Sequence, residues 1–189
     1  MVGQIFWKFG SPVTQASSQA AAYAPIVRLL HWVAAPLTFI EFALGWSMPR
    51  LARDTVPTGV IGWHLSVGAL FLALMLVRVV CRLIYEPDLA VGSTARGPLA
   101  RVGHLTLYVT LLAVPVTGWA NSSSRGWIVR LFGFLFFPLL TDRNSASGEA
   151  LGIVHGWLAW LLLILSTAYI ADVLFHRLVL RDGVLQRMI

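Results

Sequence analysis

The residues in this chain with the most chemistry to offer are five histidines: His31, His64, His104, His155 and His176. Four of them stand in, or at the start of, long apolar runs, one to each run. His176 stands where the fourth run ends. An ionisable side chain in hydrocarbon is costly, so each is a candidate site residue. A single intramembrane histidine can simply bond to a neighbouring helix, so a matched pair carries more weight. Neutral imidazole ligates iron well, and two imidazoles from facing helices fill both axial positions of a haem. Zinc fits less well, because no HExxH, cysteine cluster or paired carboxylates accompany these histidines. Cys81 is the one cysteine, so no internal disulfide forms. Without a CxxCH motif, covalent haem attachment is not expected.

The apolar runs must position these side chains. Of the 189 residues, 58% are hydrophobic and 12% charged, against about 25% charged in a soluble domain. That leaves too little charge to cover a water-facing surface. Four segments, roughly 26–48, 59–80, 105–121 and 151–175, approach the ~20 residues that cross ~30 Å of hydrocarbon. Backbone groups in lipid must bond within their own segment, so these read as helices. Pro36 and Pro115 should bend the first and third. Residues 128–140 are apolar but short and carry Gly133 and Pro138, which predicts an interfacial or re-entrant segment. Residues 1–24 form a tail with one aromatic cluster, and 25–189 form a single transmembrane domain. No cleavable secretory leader, internal repeat or low-complexity tract is evident.

The net charge of +6 does not indicate nucleic acid, since the arginines are mostly single and no basic block of five to eight residues occurs. With the N-terminus in the cytoplasm, nine basic residues fall on the inner side (Lys8, Arg28, Arg78, Arg82, Arg96, Arg101, Arg177, Arg181 and Arg187). Five fall outside (Arg50, Arg53, Arg125, Arg130 and Arg143). The bias favours both termini inside. Alternating helix directions then set depth. His64 and His155 both lie near outer ends, so one iron could bridge them. His31 lies near the inner end of helix one. Glycines 62, 68, 152 and 156 would let a porphyrin approach the backbones.

The chain resembles the bacterial cytochrome b561 family, which is related to the cytochrome b subunits of nickel-iron hydrogenases and formate dehydrogenases. The resemblance runs from Tyr23 onward. It rests on RLLHW (28–32), WHLSVGALFLALMLVRVVCRL (63–83), GHLTLYVTLLAVPVTGW (103–119) and the 154–188 segment beginning VHGWLAW. It implies an all-α, four-helix membrane bundle with both termini inside, multi-pass in the bacterial inner membrane. It also implies two b haems: an outer one held by His64 and His155, and an inner one held by His31 and a histidine fourteen positions after His155. That position is Tyr169, about 21 Å further along the helix on nearly the same face. Four outcomes stay open there. The haem is lost and its space filled, His31 binds it alone, Tyr169 ligates as tyrosinate, or His176 or His104 substitutes.

Arg78, fourteen residues after His64, either snorkels to headgroups or pairs with a haem propionate. His104 is an interfacial polar residue or contacts a propionate or quinone. Glu41, inside helix one, pairs within the bundle or faces a polar cavity. Trp46, Trp63, Trp119, Trp127 and Trp157 suit an aromatic belt, and Trp160 packs on a porphyrin or faces lipid. The expected function is a b-type cytochrome passing electrons between an outer-face donor and the quinone pool, with ubiquinone as a second ligand, or to partner redox subunits. Some relatives act alone as quinone-reducing oxidoreductases, with superoxide or other small donors. The alternative is a single-haem or haem-depleted anchor of a larger membrane complex.

Overall fold

The computed structural model describes residues 24–52, 54–85 and 98–180, except the side chains at 98–101, 104 and 176. Most of the 1–24 tail therefore lies outside the described residues. Four long helices carry the described fold: α1 (Pro25–Trp46), α2 (Val60–Tyr85), α3 (Pro98–Ser124) and α4 (Ala146–Phe175). A π-helical turn, His176–Leu180, extends α4. By length and composition, α1, α2 and the α4 extension through Leu180 can cross a membrane. α3 is as long but more polar. Its threonines turn inward on their own helix: Thr106, Thr110 and Thr117 donate to the carbonyls of Val102, Thr106 and Ala113. A hydroxyl bonded to the preceding turn needs no water.

Local signals set the helix ends. Pro25 opens α1 at a position whose N–H would have no helical partner anyway. The Ser145 hydroxyl accepts from the Gly148 N–H, with Glu149 in the first turn of α4, the usual chemistry of a helix start. α3 ends at Gly126, whose φ of +74° suits glycine. There Trp127 N–H bonds to Ser122 O and Gly126 N–H to Ser123 O, the paired bonds of a Schellman cap.

α3 packs along α4, and α1 along α2. Small residues permit the first pairing. A Cβ at Gly152 would lie 2.5 Å from the Asn121 side chain, and one at Gly148 would collide with Ser124. A core forms where Ala34, Phe71 and Met75 meet Leu37, Leu74, Tyr108, Leu111 and Leu112. Elsewhere apolar side chains face outward, among them Leu83, Leu105, Trp157 and Ile164. Apolar surface on that scale calls for lipid rather than water.

The 128–140 segment, expected to be interfacial or re-entrant, adds a small sheet to the otherwise helical fold. It is a β-hairpin in which β1 (Arg130–Leu131) pairs antiparallel with β2 (Leu135–Phe136). Phe132 and Gly133 both have positive φ, as a type I′ turn requires. The backbone bonds that a lone apolar segment would lack are supplied by the ladder and by the helices. Ser66 Oγ donates to Arg130 O at 2.7 Å, Trp119 Nε1 to Pro138 O, and Leu140 N–H to Ser123 Oγ.

Gly152→Val should overpack the α3–α4 seam and cost about 1–3 kcal/mol, seen as a lower melting temperature in detergent. Gly103→Ala, where a Cβ meets nothing within 4 Å, should leave it nearly unchanged.

Candidate functional site

His64 sits near the start of α2 and His155 in the third turn of α4. Their ring centres are 6.2 Å apart, with planes at 79°. Each Nδ1 faces an oxygen on a different neighbouring helix. His155 Nδ1 donates to Val114 O of α3 at 2.8 Å. His64 Nδ1 lies 2.8 Å from Glu41 Oε2 of α1. The second contact lacks hydrogen-bond direction, and Glu41 Oε1 is buried without a hydrogen-bond partner. What the two rings share is a free Nε2. A metal-binding histidine usually engages its other nitrogen with a carbonyl or carboxylate in this way. Among the described residues, no group of three or more His, Cys, Asp or Glu side chains gathers at one point. The pair therefore suits a cofactor that brings its own equatorial ligands.

A haem fits these residues on three observations. A metal–imidazole bond is about 2 Å long and a ring nitrogen lies about 1 Å from its ring centre, so two trans imidazoles place their centres about 6 Å apart; the observed separation matches. A cavity of about 1330 Å³, lined from all four helices, contains both rings. It exceeds the ~300–1,000 Å³ of ordinary ligand pockets. Arg125 and Arg143 line the same cavity, and Arg125 Nε is buried without a partner. A guanidinium in that state calls for a carboxylate, which haem propionates supply.

Glycines set how closely the imidazoles approach the backbone. A Cβ at Gly118 would lie 2.9 Å from His155 Cε1, and one at Gly45 would lie 3.6 Å from His64 Cε1. Of the glycines singled out from sequence, Gly156 lines the cavity with nothing within 4 Å of a Cβ. Gly68 backs onto Glu41, Gly152 onto Asn121 and Gly62 onto Pro57. Trp160 lines the cavity and meets Trp46, ring centres 6.1 Å apart. Sequence reasoning missed Gly118, Gly45, the Val114 carbonyl, Arg125 and Arg143. One signal was present: Arg125 lies seven residues, two helical turns, after Gly118, so both project toward the same side.

The remaining sequence candidates lie apart from this pair. His31 is half-buried on α1, its ring edge-on to Trp32 at 5.6 Å. Arg78 turns inward rather than snorkelling. It is 5% exposed, donates to Val27 O at 3.2 Å and lies 5.9 Å from the Tyr108 ring centre. Arg82 donates to the Tyr108 hydroxyl from the other side. Tyr169 is half-buried on α4. The side chains of His104 and His176 lie outside the described residues.

Comparison with known proteins matches residues 22–189 to the family described as prokaryotic cytochrome b561. The chain is 31% identical over 176 residues to cytochrome b561 homolog 2 of Escherichia coli K12, covering 88% of this chain and 90% of that protein. It is also 31% identical over 167 residues to the probable superoxide oxidase CybB of Yersinia pestis, covering 84% and 90%. Cytochrome b562 of Cereibacter sphaeroides is 27% identical over 178 residues, covering 90% and 97%.

Gly118→Val should push the His155 ring off Val114 O. The expected result is a several-fold fall in haem per chain in purified protein that still folds, measured by the absorbance ratio of haem to protein.

Proposed function

The chain belongs to the prokaryotic cytochrome b561 family, bacterial membrane cytochromes that bind b-type haem, and we propose that it carries electrons from a donor at the outer face to the quinone pool of the inner membrane. In this reading four spans place both termini in the cytoplasm, and the His64 end of the bundle faces outward. The observation that carries the reading is the facing pair His64 and His155, with His155 Nδ1 bonded to Val114 O and His64 Nδ1 2.8 Å from Glu41 Oε2. A haem there supplies a one-electron ferric–ferrous couple.

The residues divide the work. His64 and His155 would hold the haem iron, their imidazoles supplying its protein ligands. Arg125 and Arg143, which line the same cavity, would hold the propionates. The relative named as a probable superoxide oxidase makes superoxide the first donor to test. Trp46 and Trp160, in contact across α1 and α4, line the cavity and would pack against the porphyrin.

We assign one haem per chain. At the His31 end, Arg78 is committed to Val27 O, and Phe71, Met75 and Tyr108 fill the space between α1, α2 and α3. Position 169, where the family's second imidazole is expected, is tyrosine. This feature also favours a second reading, a single-haem anchor subunit. The hairpin supports it by presenting Phe134 at 89% exposure beside exposed Leu135 and Phe136, a surface open to a partner subunit.

Pyridine haemochrome with protein quantitation should give one haem b per chain, and two would overturn the single-haem assignment. His64→Ala and His155→Ala should each abolish the low-spin α-band; a full band in both would refute the ligand pair. Purified protein that reduces a ubiquinone analogue with superoxide as donor is a stand-alone carrier. A haem-loaded protein that does not do so is an anchor.

A further inference from the structure

α1 brings a carboxylate into the site. Glu41 is half-buried, lines the cavity and places Oε2 2.8 Å from His64 Nδ1. Small residues on both helices make the approach close. One turn beyond His64 on α2, a Cβ at Gly68 would lie 3.5 Å from Oε2. One turn beyond Glu41 on α1, a Cβ at Gly45 would lie 3.6 Å from His64 Cε1. His155 has a different partner, the neutral carbonyl of Val114. The two imidazoles are thus unequal: one faces an acidic side chain, the other a peptide oxygen.

We propose that Glu41 is a positioning residue that turns His64 Nε2 toward His155 and makes His64 the more electron-donating ligand of the pair. This rests on the His64–His155 haem site proposed above. A carboxylate at the far nitrogen of a ligating imidazole fixes the ring and raises its basicity. A more basic axial ligand stabilises ferric over ferrous iron, and a nearby negative charge acts in the same sense, more strongly in a low-dielectric interior than in water. The carboxylate is costly where it stands, with Oε1 lacking any hydrogen-bond partner. A buried acidic group without full compensation destabilises a bundle in lipid. A site selected for packing alone would hold an apolar residue here. Glu41 biases the site toward a lower midpoint potential, which eases onward transfer to a quinone.

Redox titration of purified haem-loaded protein tests this. Glu41→Gln keeps the size of the side chain and removes its acid. It should retain haem and the low-spin α-band while moving the midpoint potential to a more positive value. Glu41→Asp, acidic on a shorter arm, should move it less. An unchanged potential in haem-bearing Glu41→Gln overturns the proposal while leaving the ligand pair intact. If Glu41→Gln loses its haem, near-infrared magnetic circular dichroism of the ferric wild type decides. A charge-transfer band displaced toward that of imidazolate ligation supports the role, and a band at the neutral bis-imidazole position overturns it. A wild type with no low-spin haem, or one whose band survives in His64→Ala, overturns the underlying site and this proposal with it.

Discussion

In hydrocarbon a polar side chain has no water to turn to, and the bond between His155 Nδ1 and Val114 O is the direct consequence. The ring must find an acceptor inside the protein, and a main-chain carbonyl of the adjacent helix supplies it. The bond fixes the tautomer and holds the ring, whose centre lies 6.2 Å from that of His64. It requires α3 and α4 to run close together. Gly118 allows this at the ring itself, and Gly148 and Gly152 allow it further along the seam. The hairpin and the bonds from Trp119 and Ser123 then tie the loop to the end of α3. The architecture of this half of the bundle thus converges on holding one imidazole still.

The two ends of the bundle use polar groups differently. At the His64 end they surround a large cavity and leave Glu41 Oε1 and Arg125 Nε without hydrogen-bond partners. At the His31 end they satisfy one another: Arg78 bonds Val27 O, and Arg82 bonds the Tyr108 hydroxyl.

Helical arithmetic makes a good part of this legible. A rise of about 1.5 Å per residue and alternating directions put His64 and His155 at one depth, and the structure sets their rings 6.2 Å apart. The same arithmetic sets Tyr169 about 21 Å along α4 from His155 on nearly the same face. What it cannot supply are contacts between residues far apart in sequence. Val114 and His155 are 41 positions apart, and no local pattern marks a carbonyl as an acceptor. Sequence leaves Glu41 open between pairing in the bundle and facing a cavity; it does both. The hairpin in residues 128–140 is not legible because two-residue strands leave no period-2 signature, and its positive-φ turn places Phe132 where such a backbone is uncommon. For Arg78, sequence offers only its reach to headgroups, whereas in the fold the Val27 carbonyl on α1 lies closer.

The central claim is that the imidazoles at 64 and 155 clamp one iron with their planes nearly perpendicular. Perpendicular axial rings leave two iron d orbitals close in energy, and a ferric low-spin haem in that state has an unusually anisotropic g tensor. Electron paramagnetic resonance of the oxidised, purified protein reads this directly. The account predicts a highly anisotropic low-spin signal from one haem per chain that disappears in His155→Ala. A high-spin ferric signal, or a low-spin signal that persists in that variant, would contradict it.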